Sequence, residues 1–83
     1  MVPLTCQTAC EAAFACGLEM DMGSQLCPGF EPQDQGTFVP VCVSQCMQQP
    51  ALIQLVDPND CPGTINTLEA ISQDFANVCQ NGV

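Results

Sequence analysis

The sequence predicts an all-α protein, a small disulfide-stapled bundle of short helices joined by loops. Three observations lead there. Eight of the 83 residues are Cys, a density found in chains too short to bury a sufficient core, which are stabilised by cross-links instead. Apolar residues recur at intervals of three and four rather than in alternation. No two alternating segments flank a turn dipeptide, so no strand hairpin is expected. A chain of this length is expected to form one domain over residues 1–83, because two cores would leave neither stable.

Residues 3–20 are rich in Ala, with apolar positions at Ala9, Ala13, Cys16 and Met20. This spacing of four, three and four predicts a helix, with Pro3 near its first turn and Gly17 as an early stop. Cys6 and Cys10 stand one turn apart on one face, and Cys42 and Cys46 repeat the spacing. Each pair is expected to staple its helix face to other elements. Cys10 and Cys16 lie roughly 240° apart around a helix and about 9 Å along it, beyond the reach of a bridge. Cys6 and Cys10 share a face, but their parallel Cβ directions would strain a closure. All three N-terminal Cys are therefore expected to bond to other segments.

From Gly23 to Gly36 the texture turns to Gly, Pro, Gln, Asp and Ser, which predicts a loop anchored by Cys27. Residues 37–41 read as a short extended lead-in. A helix is predicted over 40–49, interrupted by Pro50, and residues 51–56 continue as a short apolar turn or helix. Residues 57–63, Asp-Pro-Asn-Asp-Cys-Pro-Gly, are a loop by local chemistry. A last helix is predicted from Asn66 as N-cap, with Glu69 three residues on, to about Cys79. Its apolar stripe is Leu68, Ile71, Phe75 and Val78, and Asn81-Gly82 stand beyond as a stop.

The charge is one-sided: nine Asp and Glu, no Lys, Arg or His, and a net charge of −9. Such a surface repels phosphate backbones and anionic membranes, so nucleic-acid binding and polybasic membrane docking are excluded. No apolar run is long enough for an integral membrane segment. With 47% hydrophobic and 11% charged residues the chain is expected to fold rather than to form a disordered acidic tail. An even number of Cys can pair completely, which predicts an oxidising compartment and a secreted, extracellular protein. Met1 before Val2 and Pro3 reads as an initiator, with a leader already removed.

The same composition weighs against catalysis and metal. No His or Lys is present to activate a Ser or Cys nucleophile, and no Trp or Tyr to stack on a sugar between paired carboxylates. The chain is expected not to be an enzyme and to need no cofactor. Zinc is disfavoured because C-x2-C knuckles and His are both missing. Asp57, Asn59 and Asp60 offer oxygen ligands, but Asp-Pro-Asn-Asp is ordinary turn chemistry and the calcium-loop pattern is lacking.

The large apolar side chains leave two readings open. They form a plain core, or cross-linked helices hold open a lipid-sized cavity. On the second reading the candidate ligand-binding residues are Phe14, Leu52, Ile53, Val56, Leu68, Ile71 and Phe75, with Met20, Met22 and Met47 as an adaptable wall.

Residues 46–61, Cys-Met-Gln-Gln-Pro-Ala-Leu-Ile-Gln-Leu-Val-Asp-Pro-Asn-Asp-Cys, resemble the segment of oomycete elicitins in which a Cys, an apolar helix, a Pro-Asn turn and a further Cys follow one another. Leu68 through Phe75-Ala76-Asn77-Val78-Cys79 is similar to the elicitin last helix. The resemblance covers roughly residues 40–79. It implies a secreted all-helical carrier of a lipid or sterol that a host perceives as a defence elicitor. Carrying the family's bridges across implies Cys27–Cys46 and Cys42–Cys79, with Cys61 joined to the N-terminal helix. Elicitins have six Cys and a C-x4-C pair where this chain has eight Cys and C-x3-C. A second likeness, through Thr5-Cys6-Gln7-Thr8-Ala9-Cys10-Glu11, is to the Euplotes pheromones. It implies a signal that acts on a cell-surface receptor without a bound ligand.

Overall fold

The computed structural model describes residues 5–82. Four α-helices are α1 (Cys6–Leu18), α2 (Gln35–Gln48), α3 (Cys61–Ile71) and α4 (Gln73–Asn81), with 3-10 turns at Pro32–Asp34 and Pro50–Leu55. The all-α, disulfide-stapled architecture is as the sequence predicts. One small exception is a two-residue antiparallel hairpin, Met20–Asp21 (β1) with Ser24–Gln25 (β2). Met22 and Gly23 form its tip with positive φ of 54° and 84°, the backbone of a primed hairpin turn.

The helix expected over residues 3–20 spans Cys6–Leu18 with Thr5 as its N-cap; Pro3, expected near its first turn, lies outside the described residues. The Thr5 side chain accepts from the Thr8 amide and the Thr8 hydroxyl accepts from the Thr5 amide, a reciprocal box that uses Thr in place of Glu. Gly17 lies inside the helix and does not break it. Its role is close approach, because a Cβ there would overlap the Phe30 ring and crowd Cys27. The chain then folds back over the helix end, where the Cys27 amide donates to the Gly17 carbonyl at 2.8 Å.

Three further element boundaries differ from the sequence reading. Residues 37–41 are helical, because α2 begins at Gln35 directly after the Pro32–Asp34 turn and carries Pro40 inside it. Gly36, whose carbonyl Pro40 deprives of a donor, is exposed to water, and burial of Phe38 and Val39 favours the continuous helix. Residues 57–63 are a loop only as far as Asp60, whose side chain accepts from the Gly63 amide and starts α3 with Pro62 in its first turn. The helix predicted from Asn66 to Cys79 is two helices. α3 starts at Cys61, and a break at Ser72 (φ −136°, ψ 108°) lets the Ser72 hydroxyl cap α4 by accepting from the Phe75 amide.

All eight Cys are bridged: Cys6–Cys46, Cys10–Cys42, Cys16–Cys61 and Cys27–Cys79. The three N-terminal Cys bond to other segments, and Cys61 does join α1. The bridges Cys27–Cys46 and Cys42–Cys79 implied by the elicitin resemblance are not formed. α1 and α2 run antiparallel, so the two C-x3-C faces meet rung against rung and use up Cys42 and Cys46. Cys27 and Cys79 are left to each other where the Gly29 amide donates to the Cys79 carbonyl at 2.8 Å.

The core has two parts. One holds the bridges and an aromatic group in which Phe14 stacks on Phe30 (centroids 4.8 Å apart) and tilts against Phe38 (5.3 Å). The other is a smaller cluster of Ala9, Ala13, Val56 and Leu68 between α1, the Pro50–Leu55 turn and α3. Among the described residues, no helix is long and apolar enough to cross a membrane.

Candidate functional site

The smaller cluster is where the packing is incomplete. Ala9 and Ala13, one turn apart on α1, present only methyl groups, while the bridges Cys6–Cys46 and Cys10–Cys42 fix how close α2 can come. The result is an apolar cleft of about 50 Å³, floored by α1 and walled by Leu52 and Ile53 of the 3-10 turn, by Val56 just after it, and by Leu68, Ile71 and Phe75 of α3 and α4. Six of the seven residues singled out from sequence therefore surround one cleft. The seventh, Phe14, does not reach it: the ring is 2% exposed at the centre of the aromatic group. Of the proposed Met wall, Met20, Met22 and Met47 are all exposed and none lines the cleft.

The cleft continues in two directions. Between α2 and α4 lies a second apolar hollow of about 110 Å³, reached past Cys42, Gln45 and Phe75 and lined beyond them by Phe38, Val41 and Val78. On the other side, past Leu52, Ile71 and Ser72, lies a polar hollow of about 300 Å³ edged by Gln45, Gln48, Gln49 and Asp74. The three adjoin through shared lining residues and make one groove along α2. Its apolar chambers are each well below the roughly 300–1,000 Å³ of an enclosed small-molecule site.

The two walls of the groove are held differently. α1 and α2 are cross-linked twice. Of the opposite wall, the stretch 47–60 contains no Cys and its far end is fastened by Thr64, whereas α3 and α4 are bridged through Cys61 and Cys79. The buried Thr64 hydroxyl accepts from the Asp57 amide at 2.9 Å and donates to the Asp57 carbonyl at 3.0 Å. The α3–α4 break at Ser72 borders the same side.

Sequence reasoning missed the floor and the polar rim. The floor was visible as Ala9 and Ala13 on one helix face beside Cys10, a stripe of small residues next to a bridge. The rim had no comparable signal, since Gln45, Gln48, Gln49 and Asp74 read as a solvated face. Asp57, Asn59 and Asp60 are used in turn and cap: the Asp57 carboxylate accepts from the Asn59 amide, and Asp60 caps α3. Cys16, Cys61 and Glu19 bring their ligand atoms within 4.8 Å of one another, but both sulfurs are spent in a bridge and offer no thiolate.

No family model, curated protein or solved structure matches the chain.

Proposed function

We propose that the protein is a secreted, non-enzymatic lipid-binding protein of elicitin-like character, which takes the apolar chain of its ligand into the groove between α2 and the Pro50–Leu55 turn. The observation that carries this reading is the convergence of six large apolar side chains from three elements on one unfilled cleft. A groove whose wall over residues 47–60 is free of Cys can widen there around a guest without breaking a bridge. Its narrow chambers favour a flexible alkyl chain over the rigid rings of a sterol. The resemblance of residues 40–79 to elicitins points the same way, and complete pairing of eight Cys suits an extracellular fluid. Recognition by a host receptor as a defence elicitor is part of the same proposal.

The pheromone-like reading, a signal acting by its surface alone, has one observation in its favour. Met22 is fully exposed and Met20 is 61% exposed at the hairpin tip, where they fit a partner better than water.

Titration with decanol separates the two. A ligand that binds only the native state raises its midpoint by mass action, and shifts in amide resonances should fall on Leu52, Ile53, Leu68 and Phe75. Ile53→Asp, which puts a charge in the wall, should abolish both effects. An unchanged midpoint and unchanged spectra at saturating decanol would leave the surface-signal reading standing.

A further inference from the structure

We propose that the natural ligand of this groove is a single-chain amphiphile with a cationic head group, such as a long-chain amine or amino alcohol, its ammonium seated at Asp74. The inference rests on the lipid-binding reading and names the chemistry of the head group, which the apolar cleft alone leaves open.

The shape argument comes first. The apolar cleft and the polar hollow share Gln45, Leu52, Ile71 and Ser72, so a chain lying in the cleft delivers its head into the hollow. Asp74 borders both the polar hollow and the second apolar chamber. Among the described residues it is the only charged side chain lining the groove. The carboxamide oxygens of Gln45, Gln48 and Gln49 edge the same hollow and can accept from an ammonium, and about 300 Å³ leaves room for the head group with some of its water.

The charge argument excludes the alternatives. A fatty-acid carboxylate or a lipid phosphate in this hollow would face Asp74 with no cationic side chain to pair with, because the sequence contains no Lys, Arg or His. The N-terminus of α4 would otherwise attract an anion, but its capping position is already satisfied. Ser72 accepts from the Phe75 amide, and Asp74 itself supplies the negative charge in the first turn. A net charge of −9 raises the local concentration of cations and lowers that of anions. A cationic head therefore gains a charge-assisted hydrogen bond at Asp74, and an anionic one meets repulsion.

The test compares decylamine, decanol and decanoate by calorimetry below their aggregation limits at physiological salt, where the field of distant carboxylates is largely screened. Decylamine should bind about fivefold more tightly than decanol, the upper range for an ion pair with an exposed carboxylate such as Asp74, and decanoate should be the weakest. Asp74→Asn should bring decylamine within about twofold of decanol. Asp21→Asn removes the same unit of charge from the exposed hairpin and should change neither. Decanol binding with no advantage for decylamine, or an advantage that Asp74→Asn leaves intact, overturns the head-group assignment while sparing the groove. Binding of none of the three overturns the lipid-binding reading itself.

Discussion

Phe14 and Phe75 carry the same ring in opposite circumstances. Phe14 is enclosed between Phe30 and Phe38. Phe75 is half-buried, meets Phe30 and Phe38 edge-on with centroids 6.0 Å apart, and turns its remaining surface to the groove. Phe14→Ala should cost about 3–5 kcal/mol, the usual loss for a fully buried ring. Phe75→Ala should cost about 2 kcal/mol, because part of the ring already faces an opening and the void it leaves can drain to solvent. Urea unfolding of the two variants checks the order, and equal losses would mean that the groove is filled as tightly as the core. Phe75→Ala should also weaken decanol binding, whereas a Phe14 substitution should act on binding only through stability. Thr64 belongs to the same scale: it is the buried polar side chain among the described residues, and both its donor and its acceptor are satisfied by Asp57.

At the scale of elements, the α3–α4 break depends on a single hydroxyl. Ser72→Ala should cost about 1 kcal/mol, the usual value of an N-cap, and should speed amide exchange at the start of α4 more than in α1 or α2. Uniform acceleration across the molecule would show that the break is set by packing and not by the cap. The same break marks the limit of what the sequence made legible. The stripe of Leu68, Ile71, Phe75 and Val78 is real, but its period continues smoothly across a kink that only Ser72 betrays, so one helix was expected where two stand. Residues 37–41 read as extended, and burial of Phe38 and Val39 favours the helix there instead. The bridges were half legible. Helix geometry forbade pairing within α1, and two matched C-x3-C faces suit an antiparallel ladder, but spacing alone leaves eight Cys with 105 connectivities. In the groove, the large apolar walls could be read because bulk is visible in a sequence. The floor leaves a fainter mark, Ala9 and Ala13 on one helix face beside Cys10, and a rim of ordinary Gln leaves none.

For the whole molecule, the decisive balance is between one-signed charge and four cross-links. Nine carboxylates share a body of 31 × 24 × 23 Å, and with no cationic side chain their repulsion is relieved only by distance, counterions and the amino terminus. At 0.01 M salt the screening length is roughly 30 Å, so every carboxylate feels the others across the full width of the fold; at 0.15 M it is about 8 Å and only neighbours interact. Unfolding lets the charges separate, although the bridges close loops spanning 32 to 52 residues and limit how far. Sodium chloride added between these two concentrations should therefore raise the thermal midpoint of the oxidised protein, with most of the gain complete by 0.15 M. Each bridge restrains the unfolded chain by about 4 kcal/mol in the loop-entropy picture, so reduction removes the term that holds the balance. The reduced chain should be unfolded at low salt, with the reduced and oxidised forms distinguished by circular dichroism. A midpoint that falls or stays level as salt is added would mean that the carboxylates are held by favourable local contacts stronger than their mutual repulsion. The expectation would then be wrong in sign, and the fold's acidity would have to be counted as a source of its stability.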